Sequence, residues 1–137
     1  MTAKQIIEAI IDREGGFVDH PADRGGPTCW GITANVARRY GYDGPMRDLS
    51  RGLAARIYFE WYVAQPGFDR VAPLSAAISE ELIDTGVNMG PQRAGEFLQR
   101  VLNVLNRQAR LWTDLKIDGQ VGPATLEALG KALARPV

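Results

Sequence analysis

Three side chains suited to cutting a glycosidic bond stand close together near the amino terminus: Glu14, Asp23 and Thr28, with eight residues between the first two and four between the second and third. Two carboxylates and a hydroxyl are the minimum equipment of a glycosidase: an acid for the leaving oxygen, a base or stabiliser on the opposite face, and a group that holds a water. Ile7 lies seven residues before Glu14, so at about 100° per residue the carboxylate returns to the azimuth of the preceding isoleucine stripe. That placement predicts a side chain on the core side of a helix, partly desolvated, at the negative end of the macrodipole. Both effects favour the neutral acid that proton donation requires. Gly15 and Gly16, then Gly25 and Gly26, let a bulky ligand approach the backbone. The same letters also fit a solvated helix-end glutamate with a glycine cap and a common Asp-x-Gly-Gly turn, and spacing alone does not choose between the two.

The elements that must hold these residues follow from periodicity. Thr2 is an N-cap candidate, and Ile6, Ile7, Ile10 and Ile11 form one apolar stripe, which predicts a helix over residues 3–14. From Gly15 to Gly31 no period survives. Gly-Gly, His-Pro and Gly-Gly-Pro mark turns there, with short extended pieces at Phe17-Val18 and Trp30-Gly31-Ile32, so a structured loop or small hairpin is expected. Thr33 caps a short helix ending at Arg39, and Asp48 or Ser50 opens another that runs through Tyr58, Phe59, Trp61 and Tyr62 to Pro66. A further helix begins at Pro73-Leu74 and carries Ala77, Ile78, Leu82, Ile83 and Val87. Beyond Gly90-Pro91, Phe97, Leu98, Val101, Leu102, Val104 and Leu105 share one broad apolar face, and a last helix follows the turn at 119–122. The result is a mainly α protein with at most a minor sheet.

Composition narrows the function classes. The chain has 137 residues, 45% of them hydrophobic and 23% charged, enough for one globular domain or one catalytic lobe with an appendage. Sixteen basic and sixteen acidic residues cancel, so no electrostatic footprint for nucleic acid or an anionic membrane is present. Cys29 is the single cysteine, which excludes an internal disulfide and a thiolate-rich zinc site. Glu8 and Asp12 interrupt the first isoleucines, so no secretory leader is read there, and no stretch reaches membrane-spanning length. The expectation is a monomer made in the cytoplasm without stable membrane insertion, reaching its substrate only after a holin or equivalent system releases it.

The stretch EGGFVDHPADRGGPTCWGIT resembles the signature of glycoside hydrolase family 108, peptidoglycan muramidases of phages and bacteria, with His20 and Phe17 in place of the family's usual Asp and Tyr. Tyr58 and Trp61 resemble the family's aromatic helix, ELIDTGVNMG its Asp-x-x-Val-Asn-x-Gly segment, and DGQVGPATLEAL its peptidoglycan-binding-type region. The resemblance implies a lysozyme-like helical fold. Residues 1–90 would form the muramidase-like catalytic region, and residues 91–137 a shortened peptidoglycan-binding-type helical region packed in the same compact unit. It implies Glu14 as catalytic acid, with Asp23 and Thr28 similar to the Glu, Asp, Thr set of phage-type lysozymes. The substrate would be the glycan strand of peptidoglycan, cut at the β-1,4 bond between N-acetylmuramic acid and N-acetylglucosamine, with no cofactor and no metal. A lytic transglycosylase and a non-catalytic peptidoglycan-binding module are the alternatives.

Aromatic rings stack on pyranose faces, so Trp30, Tyr58, Trp61 and Tyr62 are candidates for a sugar groove, whereas Phe59 is expected in the core. Asp84 and Asn88 share a helix face and either hold the glycan or the active-site loop, or form a helix-terminal hydrogen-bond pair; the family resemblance favours the first. Cys29 with His20 makes a poor nucleophile and base pair, since no third group orients them, and Asp19, His20 and Asp23 make a poor metal template. Arg93, Arg100, Arg107 and Arg110 read as a solvated face, able to meet the carboxylates of wall peptides.

Overall fold

The computed structural model describes residues 1–19, 26–106 and 111–135. Those residues form six α-helices and one small sheet, a mainly α, lysozyme-like architecture. The chain divides into two compact units, Met1–Glu60 and Trp61–Val137. The break falls inside the segment that the sequence assigns to the catalytic region.

In the first unit, helix α1 (Ala3–Glu14) starts in a capping box. The Thr2 hydroxyl accepts from the Gln5 N–H, and the Gln5 side chain accepts from the Thr2 N–H. Ile6, Ile7, Ile10 and Ile11 are all buried, as their spacing requires. Gly15, at φ 71°, ends the helix in a conformation glycine tolerates. Strands β1 (Phe17–Val18), β2 (Thr28–Cys29) and β3 (Ile32–Thr33) make an antiparallel meander in that order, pairing Phe17 with Cys29 and Val18 with Thr28, then Thr28 with Thr33 and Cys29 with Ile32. Trp30-Gly31, read from sequence as part of an extended piece, is instead the two-residue turn between β2 and β3. Thr33 caps α2 (Ala34–Arg39) through Val36 N–H, and Ser50 caps α3 (Arg51–Phe59).

Helix α3 lies against α1 and buries Ala54, Ile57 and Tyr58. Phe59, expected in the core, is 41% exposed. The buried stripe runs i, i+3, i+4 from Ala54, and residue 59 is the next position round, where it borders a shallow hollow with Tyr40, Leu53 and Arg56.

The second unit opens within a π-helical turn, Glu60–Ala64. Helix α4 (Ala76–Met89) starts later than Pro73-Leu74 suggested, because Ser75 supplies the cap to Ile78 N–H. Helix α5 (Pro91–Leu105) packs on α4, and α6 (Pro123–Leu133), with proline at its first position, packs on α5.

The face that α5 buries is rotated from its apolar face, and the two overlap at Leu102. Of the six residues of that apolar face only Leu102 is buried, while Phe97, Val101, Val104 and Leu105 are exposed. Phe97 and Val101 border an open groove of about 290 Å³ with Ile78 and Leu82. The inward face carries amides. Gln99 accepts from the N–H groups of Asp118 and Gly119, and donates to Asp118 Oδ1, Gln120 O and Thr125 Oγ1. Asn103 exchanges two bonds with the Leu115 backbone, and Asn106 accepts from the N–H groups of Leu111 and Trp112 and donates to Trp112 O and Asp114 Oδ1. Residues 113–117 carry no helix or strand, so the backbone around them needs side-chain partners, and three amides spaced four and three apart on one helix face supply them.

Candidate active site

Glu14 is the last residue of α1. Its side chain is 44% exposed, so the partial burial expected from its azimuth is found at the stem. The azimuth is right, but the helix stops at this residue and no next turn covers the carboxylate. Arg13 Nε stands 3.8 Å from Glu14 Oε1. Among the described residues, a Cβ placed on Gly15 or Gly16 meets nothing within 4 Å.

The stem of Glu14 is packed tightly. A Cβ built on Gly31 would lie 2.8 Å from Glu14 Cγ, 3.0 Å from Glu14 Cβ and 2.5 Å from the Tyr58 hydroxyl. Only glycine fits there, and its φ of 80° independently favours glycine. Its neighbour Trp30 is at φ 54°, the one positive value among described non-glycine residues. Positive φ at both central residues is what a two-residue hairpin turn of type I′ demands. Tertiary bonds hold Trp30 in this sparsely populated conformation. Its Nε1 donates to Leu49 O at 3.0 Å, its N–H to Gly16 O at 3.4 Å, and its carbonyl accepts from the Tyr58 hydroxyl at 2.8 Å.

Arg51 ties these parts to α1. Its Nη2 lies 2.6 Å from Glu8 Oε2 and 2.7 Å from Asp12 Oδ1, while its guanidinium carbon stands 5.5 Å from the centre of the Trp30 ring. Arg47 lies similarly over Phe17, at 5.2 Å.

Thr28 is half-buried on β2. Its pairing partners are Val18 and Thr33, so it points to their side of the sheet, whereas Cys29 and Ile32 fill the core on the other. Burial pushes the Cys29 thiol above its ordinary pKa, and its Sγ approaches Leu49 O at 3.8 Å. A buried thiol with a raised pKa is a packing group, not a nucleophile. Asp23 and His20 lie outside the described residues, as do Arg107 and Arg110. Among the described residues no cluster of metal-ligating side chains occurs, and no helix is long and apolar enough to cross a membrane.

The other candidates divide between the units. Trp30 is half-buried in the first unit and Tyr58 is buried there, 5% exposed. Trp61, Asp84 and Asn88 belong to the second. Trp61 is 37% exposed and stacks on Tyr62 with ring centres 5.4 Å apart. Asp84 and Asn88 are exposed on α4, and the Asn88 amide donates to the Asp84 main-chain carbonyl at 3.0 Å. Gly31, Arg51 and Leu49 were not singled out from sequence. A Trp-Gly pair between two short β-prone pieces was the available signal for the turn.

Residues 7–90 match the family described as Glycosyl hydrolase 108. Among solved structures, that of Brucella abortus SagA is similar, with 28% identity and a TM-score of 0.62 over 94% of this chain and 68% of that one. No curated protein matches the sequence.

Proposed function

This chain belongs to the glycosyl hydrolase 108 family and is a peptidoglycan hydrolase, and from that premise we propose that it is an N-acetylmuramidase with Glu14 as general acid. The observation that carries the reading is the state of Glu14: its stem rests against Gly31, its side chain is half-exposed at a helix end, and among the described residues nothing crowds the glycines beside it. A positioned carboxylic acid open to a ligand is what protonation of a glycosidic oxygen needs.

In the proposed reaction Glu14 gives its proton to the bridging oxygen as the bond from C1 of N-acetylmuramic acid breaks. The oxygen leaves as the 4-hydroxyl of N-acetylglucosamine. A water held by Asp23 and the Thr28 hydroxyl adds to C1 and passes its proton to Asp23, and exchange with solvent restores both carboxyl groups. The Trp30 ring, and in the second unit Trp61, Asp84 and Asn88, are proposed glycan contacts. Tyr58 has no comparable exposure.

Digestion of purified cell walls followed by mass analysis of the muropeptides tests this reading. New reducing ends are expected from the wild type and none from Glu14→Gln. Anhydromuramic ends would make the protein a lytic transglycosylase, and binding without release of fragments would make it a peptidoglycan-binding module.

A further inference from the structure

We infer that Tyr58 is a positioning residue: its hydroxyl clamps the left-handed Trp30-Gly31 turn, and the turn in turn sets where the Glu14 side chain stands. The inference rests on the reading of Glu14 as the acid. Tyr58 is too buried to offer a sugar its ring, and its hydroxyl donates to the Trp30 carbonyl. That carbonyl belongs to the peptide leading directly into Gly31, so the bond fixes the peptide plane from which the Gly31 Cα emerges. Glu14 Cβ, Glu14 Cγ and the Tyr58 oxygen all converge on the space that a side chain at residue 31 would fill. The turn is therefore the surface on which the acid's stem rests.

Two features make this contact decisive for the acid. Among the described residues the carboxylate's ion-pair partner is Arg13, at 3.8 Å, and the close packing is on the stem. The turn also needs holding, because tryptophan at φ 54° does not keep that conformation unaided. Leu49 anchors the indole, Gly16 the N–H and Tyr58 the carbonyl. Of these three anchors, Tyr58 alone acts on the peptide bond adjoining Gly31. Arg51 spans α1 and the Trp30 ring and keeps turn and helix in register.

Tyr58→Phe removes the clamp and keeps the ring in place. On soluble glycan strands, with release of reducing ends as the readout, kcat should fall about tenfold while KM stays within about twofold, since misplacing a reacting group by a fraction of an ångström acts on the chemical step. Ile57→Val, a neighbouring core variant on the same helix, is the control for stability alone. It should lower Tm and leave kcat unchanged. The methylene NMR signals of selectively labelled Glu14 should shift in Tyr58→Phe and stay in place in Ile57→Val, a readout that does not depend on activity. Wild-type kcat in Tyr58→Phe, unmoved Glu14 signals, or equal kcat losses in both variants would overturn the positioning role. A wild type that yields no reducing ends, or an active Glu14→Gln, would instead remove the muramidase reading, and the Glu14 signals would still report whether Tyr58 positions that side chain.

Discussion

Gly31 and Glu14 touch so closely that residue 31 has no room for a Cβ: the atom would stand 2.8 Å from Glu14 Cγ. The chain thus spends a glycine of positive φ on resting the turn against the acid's stem. Gly31→Ala adds a clash with Glu14 and with the Tyr58 hydroxyl to the strain of φ 80°. A loss of roughly 1–3 kcal/mol in stability is expected, together with a larger loss of wall-lytic activity than the unfolded fraction explains. Urea unfolding and turbidity assays on one preparation check this. Wild-type activity per folded molecule would show that the stem contact does not matter to the chemistry.

The amide face of α5 makes a separate demand on the second unit. Gln99 is 1% exposed and is the side-chain partner of two backbone N–H groups, those of Asp118 and Gly119. Gln99→Leu keeps the volume and removes the acceptor of the Gly119 N–H, while the Asp118 N–H keeps the Lys116 carbonyl; a donor left buried in this way costs about 1–3 kcal/mol. Denaturant midpoints should fall accordingly. A variant as stable as the wild type would mean that water replaces the amide.

How far the sequence reveals these features depends on what each is made of. Helix α1 was readable because its determinants are local: Thr2 and Gln5 form the cap, and four isoleucines keep one period. The exposure of Glu14 was not, because periodicity gives an azimuth and says nothing of what packs above it. Trp30 hides the turn, since its residue type favours a strand and its positive φ is imposed by bonds to Leu49, Gly16 and Tyr58, far from it in sequence or unmarked by pattern. The apolar period misled in α5 because an irregular backbone elsewhere required Gln99, Asn103 and Asn106 on the inner face, and tertiary demand overrode amphipathic pattern.

The rotated burial face of α5 gives two adjacent residues opposite fates. Leu102 is 2% exposed and Val101 54%. Leu102→Ala should cost about 2–5 kcal/mol, whereas Val101→Ala should stay within about 0.5 kcal/mol. Equal costs in thermal or urea unfolding would contradict the burial pattern of α5.

Asp118 gives the second unit an acid-sensitive element. The Gln99 amide, and after it the Gln120 N–H, hold its carboxyl below the ordinary value of 3.8. A carboxyl depressed by folding contributes stability that is present above its unfolded pKa and is lost as pH falls through the folded one. Between pH 6 and pH 3, Asp118→Asn should therefore lose less stability than the wild type does. Parallel pH dependences of the urea midpoint would remove Asp118 as a contributor.

The stereochemical outcome tests the proposed role of Thr28. On β2 it points away from the Cys29 and Ile32 core, half-buried, with a hydroxyl able both to donate and to accept. Such a group suits fixing a water between a carboxylate and the sugar, an arrangement that requires the roughly 6.5–9.5 Å carboxyl separation of inverting enzymes. Direct attack by Asp23 would need only about 5 Å and would leave the hydroxyl without a task. The α-anomer is thus expected first from the β-linked strand, and Thr28→Val should lower kcat by about tenfold or more, in the range typical of losing one group that assists proton transfer. An NMR time course showing the β-anomer first would reject the held water and make Asp23 a nucleophile or ion-pair stabiliser, with Thr28 reduced to a strand residue.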